Sequence, residues 1–541
     1  VVGVDSTGLA PGNYSASVNI ISDAGAIVVP VSLFVQPSGA RLAVSQTGLR
    51  FQASDTSSAA PPAAVQVLNV GGSTLNFKAS LDSGADWLSV STGNPIVSPT
   101  SPSTITLTPN PNAPRLTVPR YALVRVEAPG AVGSPQFISA VLDPSKPAAI
   151  PDPSPSGFFL VATSRSGITP AQRVTINTNS SIPLAFQISQ QTSDNGTWLT
   201  ATANGGSTTS SSAPGSVSVT ADTSKLAPGI YTGNVVVSIG SSVRTVSITL
   251  VVTPNANAST LTSQTTSRDA SCIPSKMAIG STGLPGNFQV PAGWPATIVM
   301  VMYDDCGNPV TRGQVIASFS NGDSPVTLLS DNVSGTYSGT WNVGKVAAIM
   351  RVTAVGTSAG LASATTTING GTKTNPTPPP VLAANGILNN SNPVLGAALA
   401  PGNVVAIYGS GLASQTASPV TIPLPTVFNG TEVNIGGLDA PLYFTSAGQL
   451  NAEIPSELAP DRQYQAVVIV NNVPTTPITI NLVPVAPGVS SFSDGRLIAQ
   501  HADYSLVTPT SPAQPNEVLV MYLAGMGATQ SPVATGKVSP A

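Results

Sequence analysis

The sequence predicts an all-β fold, built as a linear array of β-sandwich domains with almost no helix. Short alternating apolar runs bounded by Pro, Gly and Asn occur throughout the 541 residues, as at 235–239 and 243–252. Such alternation is typical of half-buried strands. No stretch of a dozen residues has the apolar spacing and caps of a helix. At about 100 to 150 residues per domain, a chain of this length holds roughly four to five domains.

A repeated phrase indicates the length of one unit. Leu-Ala-Pro-Gly-x-Tyr starts at Leu9 and at Leu226, and a weaker copy lies between them. Two Trp-Leu pairs, at Trp87 and Trp198, recur at nearly the same spacing of about 110 residues, which is the size of one β-sandwich domain. The tyrosines that end the three copies are Tyr14, Tyr121 and Tyr231.

We interpret these five aromatic residues as corner and core residues. In a tyrosine corner the ring fills core volume, while the hydroxyl group bonds to a backbone group of the turn. The Trp-Leu pairs each follow a strand that contains a phenylalanine, so the landmarks keep the same order in both copies. An aromatic platform that binds a ligand is the alternative interpretation.

The landmarks of residues 1–254 resemble the Ig-like, BACON-type modules of secreted bacterial proteins. The resemblance implies one such domain at 38–146 and another at 147–254. Residues 1–37 contain only the tyrosine phrase and a last strand, which predicts the C-terminal half of an Ig-like domain. We therefore expect the chain to be a section of a longer polypeptide.

Residues 255–371 depart from this pattern and resemble an invasin-type or filamin-like Ig domain. The likeness is carried by Asp-Asp-Cys-Gly-Asn-Pro-Val at 304–310 and Gly-Thr-Tyr-Ser-Gly-Thr-Trp at 335–341. Both cysteines of the chain, Cys272 and Cys306, lie in this predicted domain, which favours a disulfide in an oxidising compartment. A metal pair or two free thiols is the alternative, but zinc is disfavoured because no histidine is near.

A Pro-rich segment follows at 372–385, and its composition predicts an extended, semi-rigid linker. Beyond the linker a second kind of repeat begins. Leu-Ala-Pro-Gly-Asn-Val-Val-Ala-Ile-Tyr at 399–408 is echoed by a segment that ends at Tyr522. Between the two copies lie Ile-Pro-Leu-Pro from Ile422 and Gln-Leu-Asn-Ala-Glu-Ile-Pro from Gln449.

These phrases resemble the tandem IPT/TIG-like C-terminal region of large secreted bacterial repeat proteins, a family whose role is not established. The resemblance implies an IPT/TIG-like domain at 386–486 and an incomplete second one at 487–541. We predict that the two ends of the chain are not pieces of one permuted domain, because one is Ig-like and the other IPT/TIG-like.

Residue types that support catalysis are sparse, since charged residues make up only 8% of the chain. His501 is the sole histidine, and a triad with Asp503 has no Gly-x-Ser-x-Gly motif to support it. Asp304 and Asp305 could offer oxygen atoms to calcium, but a structural turn is the favoured interpretation. We predict no catalytic, cofactor-binding or metal-binding residues, and no cofactor.

The net charge of −3, with scattered basic residues, does not favour nucleic acid or anionic lipid as a partner. No apolar stretch approaches the roughly 18 to 20 residues that cross a bilayer, so we expect no membrane insertion by this segment. The expected partners are copies of the chain or other surface proteins, with glycans as a further candidate.

The leading hypothesis is a non-catalytic structural or adhesive protein, extracellular or on the cell surface, that spaces or assembles through Ig-like modules. One version is a subunit of an extracellular filament or sheath, since low charge weakens the repulsion that keeps monomers apart. The alternative is an accessory spacer or carbohydrate-binding region of an extracellular carbohydrate-active enzyme. An aromatic content of 5% counts against a stacking surface for sugars.

Overall fold

The computed structural model describes residues 39–53, 60–110, 117–144, 150–254, 272–492, 494–529 and 533–537, the strands at 12–22 and 25–35, and the single residues Val4 and Leu9. Over these residues the chain forms strands and no helix, which confirms the predicted all-β class. It accordingly contains, in this described part, no apolar helix long enough to cross a membrane. The alternating runs of the sequence became strands because each places one row of apolar side chains in a core.

A hairpin lies in the segment predicted as a half domain. Its strands are β1 (Gly12–Ser22) and β2 (Gly25–Val35), which pair antiparallel from Gly12↔Val35 to Ser22↔Gly25.

Module 1 (residues 39–144) is a sandwich of two four-stranded sheets, with orders β3-β5-β10-β8 and β4-β12-β11-β7 and a short β6-β9 pair. Strand β4 pairs in parallel with the last strand, β12. Apolar side chains from both sheets meet around Trp87. The strands are β3 (Leu42–Val44), β4 (Gly48–Gln52), β5 (Ala63–Asn69), β6 (Leu75–Asn76), β7 (Lys78–Ser83), β8 (Leu88–Thr92), β9 (Ile96–Val97), β10 (Ser103–Pro109), β11 (Arg120–Glu127) and β12 (Gln136–Asp143).

Module 2 (residues 150–254) repeats this topology, with sheets β13-β15-β20-β18 and β14-β22-β21-β17 and a short β16-β19 pair. Strand β14 again pairs in parallel with the last strand, β22. The repeat seen in the sequence is therefore a repeat of strand order. The strands are β13 (Asp152–Ser154), β14 (Gly157–Thr163), β15 (Gln172–Asn177), β16 (Leu184–Ala185), β17 (Gln187–Thr192), β18 (Leu199–Ala203), β19 (Thr208–Thr209), β20 (Gly215–Ala221), β21 (Gly229–Ile239) and β22 (Ser242–Thr253).

Module 3 (residues 272–373) has a different topology, with eight strands in the hydrogen-bonded order β23-β25-β28-β27-β26-β29-β30-β24. Its core gathers around Trp341 and Tyr337, both almost fully buried. The strands are β23 (Met277–Ser281), β24 (Phe288–Pro291), β25 (Pro295–Asp304), β26 (Gly313–Phe319), β27 (Val326–Ser330), β28 (Thr336–Asn342), β29 (Met350–Ser358) and β30 (Ala364–Lys373).

Module 4 (residues 381–483) packs the sheet β31-β32-β37-β36 against the sheet β33-β34-β38-β39, in which β35 pairs with β34 and β40 with β38. The strands are β31 (Val381–Asn389), β32 (Val404–Ser410), β33 (Val427–Phe428), β34 (Thr431–Ile435), β35 (Leu438–Asp439), β36 (Leu442–Thr445), β37 (Gln449–Glu453), β38 (Arg462–Val470), β39 (Val473–Pro474) and β40 (Ile478–Leu482).

The predicted linker at 372–385 is shorter than expected. Strand β30 runs to Lys373 and β31 starts at Val381, so only 374–380 lies between strands. This remainder is also not a free spacer, because Asn375 is buried and its Nδ2 donates to the Ala292 carbonyl at 3.0 Å. Its proline residues suggested an extended segment, but composition did not indicate that the segment packs on module 3.

The described residues of the C-terminal segment (residues 484–537) form only two-residue strands. Strand β41 (Gly488–Val489) pairs with β44 (Leu523–Ala524), and β42 (Ala499–Gln500) pairs with β43 (Val520–Met521). By the repeat, Met521 corresponds to Ile407 of β32. Ile407 is fully buried, whereas Met521 is 48% exposed.

Not all contacts in the chain lie within one module. Modules that are distant in sequence also touch, because Arg41 of module 1 bonds to Gln463 of module 4. The chain therefore folds back on itself within the array.

Candidate functional site: the junctions between modules

The two predicted core tryptophans lie inside their modules. Trp87 is 1% exposed and its Nε1 donates to the Tyr121 carbonyl at 3.1 Å. Trp198 is 3% exposed and its Nε1 donates to Oδ1 of Asp194 at 3.2 Å. Both rings have their polar atom satisfied, so neither is available as a surface platform for a ligand.

The three predicted corner tyrosines differ in surroundings. Tyr231 has a corner geometry, since its hydroxyl donates to the Ala227 carbonyl at 2.9 Å and its ring packs edge-on against Trp198 at 6.2 Å. The Tyr121 hydroxyl instead accepts from Nε1 of Trp294 in module 3 at 3.2 Å. Tyr14 is half-buried on β1.

Replacing Tyr231 by phenylalanine is expected to destabilise module 2 by about 1 kcal/mol, because one hydrogen bond is lost while the ring stays. Chemical denaturation of the whole chain would measure this change. Tyr408→Phe is the control, because Tyr408 lies on the surface of module 4. A Tyr231→Phe variant as stable as the parent would contradict the corner role.

Module 1 meets module 3 at the start of β4. The Thr47 and Gly48 amides both donate to Oγ1 of Thr340, at 2.8 and 3.1 Å. A Cβ atom at Gly48 would lie 2.6 Å from Cβ of Pro295, so no side chain fits there.

The side chain of Arg50 also contributes to the junction between modules 1 and 3. The Arg50 guanidinium lies 5.5 Å from the centre of the Trp294 ring, a distance typical of a cation–π contact. Nε of Arg50 also donates to the buried carboxylate of Asp143 at 3.1 Å. Arg50 therefore joins the carboxylate of its own module to an aromatic ring of module 3.

Module 2 meets module 3 at the start of β14. Ser156 donates from its amide and from Oγ to the Thr282 carbonyl, at 3.3 and 2.9 Å. A Cβ at Gly157 would lie 1.9 Å from the Ser281 carbonyl oxygen. The rings of Phe159 and Tyr303 stack with centroids 4.8 Å apart.

Modules 1 and 4 share a small buried apolar cluster. Phe137 and Leu123 of module 1 pack against Val467, with Ile469 at the edge. Gln465 lies beside them: its Oε1 accepts from the Phe137 amide, and its Nε2 donates to Oε1 of Gln136 at 2.9 Å. None of these residues was predicted from the sequence.

The two cysteines of module 3 are joined as Cys272–Cys306, which confirms the predicted disulfide. The neighbouring aspartates have structural partners. Oδ1 of Asp304 accepts from the Cys306 and Asn308 amides at 3.0 and 2.8 Å, and Asp305 accepts from the Ser275 amide at 3.0 Å. These hydrogen bonds hold the turn around Cys306 in place.

His501 does not pair with Asp503. Its Nδ1 bonds to Glu517, and its Nε2 lies 3.1 Å from the Ser511 carbonyl. Asp503 accepts from Ser505 instead. The imidazole thus ties together three loops of the C-terminal segment, and the triad considered from the sequence is not formed.

The Glu517 carboxylate raises the pKa of His501 above its ordinary value of 6.5. A raised pKa in the folded state means that the protonated imidazole stabilises the C-terminal segment fully below pH about 6.5 and loses this effect as pH rises through the higher pKa. We expect faster proteolysis of residues 486–529 at pH 9 than at pH 6. The difference in proteolysis rate between the two pH values should vanish in Glu517→Gln. An unchanged difference in that variant would contradict the pairing of His501 with Glu517.

No described part of the chain gathers three His, Cys, Asp or Glu side chains at metal-binding distance. An open groove of about 730 Å³ in module 1 is lined by residues 39–40, 73–78 and 129–131. Lys78 is the one titratable residue that lines it. This groove therefore lacks the paired acid and base that proton-transfer chemistry requires.

Both modules with the repeated topology match one family model. It is described as the viral BACON domain. The matched residues are 41–121 and 156–253, which lie in module 1 and module 2. Together with the strand order, this match supports a multi-domain Ig-like protein. No curated protein sequence matches the chain significantly.

Three solved structures of repeat proteins align with this chain at low identity. Domains 4–9 of the surface layer protein SbsC align at 12% identity over 91% of this chain and 71% of that one, with a TM-score of 0.25. The human desmocollin-1 ectodomain aligns at 9% identity over 89% and 86%, with a TM-score of 0.15. Cadherin domains 1–4 of protocadherin gamma B7 align at 14% identity over 66% and 83%, with a TM-score of 0.16. Scores of this size carry no argument about function.

Proposed function

We propose that this chain is a non-catalytic structural or adhesive protein, secreted or held at the cell surface, that spaces or assembles through braced Ig-like modules. The observation that carries the proposal is the set of three junctions. Each joins two modules through backbone hydrogen bonds, close glycine contacts or buried side chains. Such contacts favour a fixed arrangement of the modules over independent motion. A rigid spacer or a subunit of an assembly requires such an arrangement.

The disulfide supports the extracellular part of the proposal. Structural disulfides persist in oxidising compartments and are rare in reducing ones. Cys306 is 5% exposed, and the chain has no cysteine outside this bonded pair. The cysteine pair is thus used to stabilise a module and not as a reactive thiol.

A polar, uncharged partner surface best fits the surface of this chain. Strand edges and Ser- and Thr-rich surfaces offer hydrogen-bonding groups with little charge repulsion. All four tryptophans are 3% exposed or less, which favours protein contacts over sugar stacking. We further propose that module 4 and the C-terminal segment are tandem IPT/TIG-like domains, on the strength of their shared phrase.

Localisation tests the proposal directly. Cells that make the full-length protein would be treated with a membrane-impermeant biotin reagent, and the protein recovered with its thiol state trapped by alkylation. We expect surface-labelled or secreted protein with both cysteines oxidised. Protein confined to the cytoplasm with free thiols would overturn the proposal, and a cytoplasmic enzyme probed in the same cells controls for lysis.

A further inference from the structure

The contacts of module 1 and module 2 with module 3 are made by the same part of the repeated fold. Strands β4 and β14 occupy equivalent places, because each pairs in parallel with the last strand of its module. Thr47 and Ser156, the residues before them, also have equivalent partners: their carbonyls accept from the Ser139 and Ser247 amides, at 3.0 and 3.1 Å.

Three features recur at both sites. The residue before the strand, Thr47 or Ser156, donates its amide to an oxygen of module 3. The first strand residue is a glycine whose missing Cβ leaves room for module 3. The third strand residue lays its side chain on an aromatic ring of module 3, as Arg50 on Trp294 and Phe159 on Tyr303.

We infer that the start of this strand is a docking edge of the BACON-type modules, and that module 3 carries two separate receptor sites for it. Each receptor site consists of an oxygen acceptor, a surface too close for a side chain and an aromatic ring. The first contains Thr340, Pro295 and Trp294, and the second contains Thr282, Ser281 and Tyr303. The partner that fits either site is an Ig-like module with a small hydroxyl residue and a glycine at this position.

The glycines explain why the edge is specific. Neither Gly48 nor Gly157 has a positive φ, so turn geometry does not require glycine there. At Gly48 the nearest atoms to an added Cβ belong only to module 3, namely Pro295 and Thr340. At Gly157 the nearest is the Ser281 oxygen of module 3, followed by the Ser247 oxygen of module 2. The requirement for glycine thus comes from docking at Gly48, and from docking together with the backbone of β22 at Gly157.

The inference rests on the proposed structural function and names the surface that holds its modules together. Hydrogen–deuterium exchange of the full chain tests it, because the Thr47 and Ser156 amides report the two sites separately. We expect Gly48→Ala to speed exchange at Thr47 at least tenfold and to leave Ser156 unchanged, and Gly157→Ala to do the reverse. Gly72→Ala is the matched control, since nothing lies within 4 Å of a Cβ there.

A second pair of variants leaves the glycines intact. Thr340→Val removes the acceptor for Thr47 and Gly48, and Phe159→Ala removes the ring that stacks on Tyr303; each should speed exchange only at its own site. If a glycine variant also speeds exchange in core strand β5 or β15, its module has unfolded. The Thr340→Val and Phe159→Ala variants then provide the test. Unchanged exchange in that pair, or equal acceleration at both sites, would overturn the inference. Cytoplasmic localisation would overturn the proposed function but leave these exchange results as they are.

Discussion

Replacing Cys272 and Cys306 by serine lowers the unfolding free energy of module 3 by about 4 kcal/mol. The expectation follows from the sequence separation of 34 residues between the bonded cysteines, because a cross-link removes loop-closure entropy from the unfolded chain. For a module of about 100 residues this corresponds to a melting temperature lower by roughly 15 to 30 °C. Differential scanning calorimetry of the full chain would measure the shift.

Reductant provides the control for this experiment. Added to the parent protein, it should reproduce the shift, and added to the Cys272→Ser, Cys306→Ser variant it should do nothing further. Modules 1, 2 and 4 contain no cysteine, so their strands should keep their protection from hydrogen exchange at temperatures below the new transition. An unchanged melting temperature of module 3 in the Cys272→Ser, Cys306→Ser variant would contradict a stabilising role for the disulfide.

Val467→Asp opens the junction between modules 1 and 4. Val467 is fully buried against Leu123 and Phe137, so the change loses about 2 kcal/mol of apolar burial and also places a carboxylate in an apolar cluster. We expect a larger radius of gyration by small-angle scattering and faster proteolysis between the modules. Val420→Asp is the matched control, because Val420 is 98% exposed on the same module.

A double-mutant cycle separates loss of the junction from loss of a module. Phe137→Asp should open the same junction, and the Phe137→Asp, Val467→Asp double variant should expand the chain no further, because the shared contact is already lost. Additive effects of the two changes would indicate that each destabilises its own module instead.

Period and spacing were enough to predict the β class and the core tryptophans, because local alternation and repeat length determine them. The sequence also contained a signal that we did not use. The run Ala-Val-Val-Ile-Val at 466–470 is continuously apolar, and such runs indicate burial on both faces of a strand. One face of β38 is the core of module 4, and the other is the contact with module 1.

No pattern in the sequence indicated the docking edges. Gly48 and Gly157 read as ordinary strand-start glycines, and Thr340 as one of many threonines. Their roles depend on which modules meet, which is set by packing across hundreds of residues. The partner of His501 was missed for the same reason, because Glu517 is brought to it by loops and not by a recognisable spacing.

The contact between Arg41 and Gln463 joins residues that are 422 positions apart. A chain made from its N-terminus at about 5 to 20 residues per second completes module 1 roughly 15 to 65 s before that part of module 4 exists. During that interval Phe137 and Leu123 lack their contact with module 4, and the newly made module presents an apolar patch to its surroundings. Biosynthesis of this protein therefore includes a waiting period, in which a chaperone that covers this patch would protect the chain from aggregation.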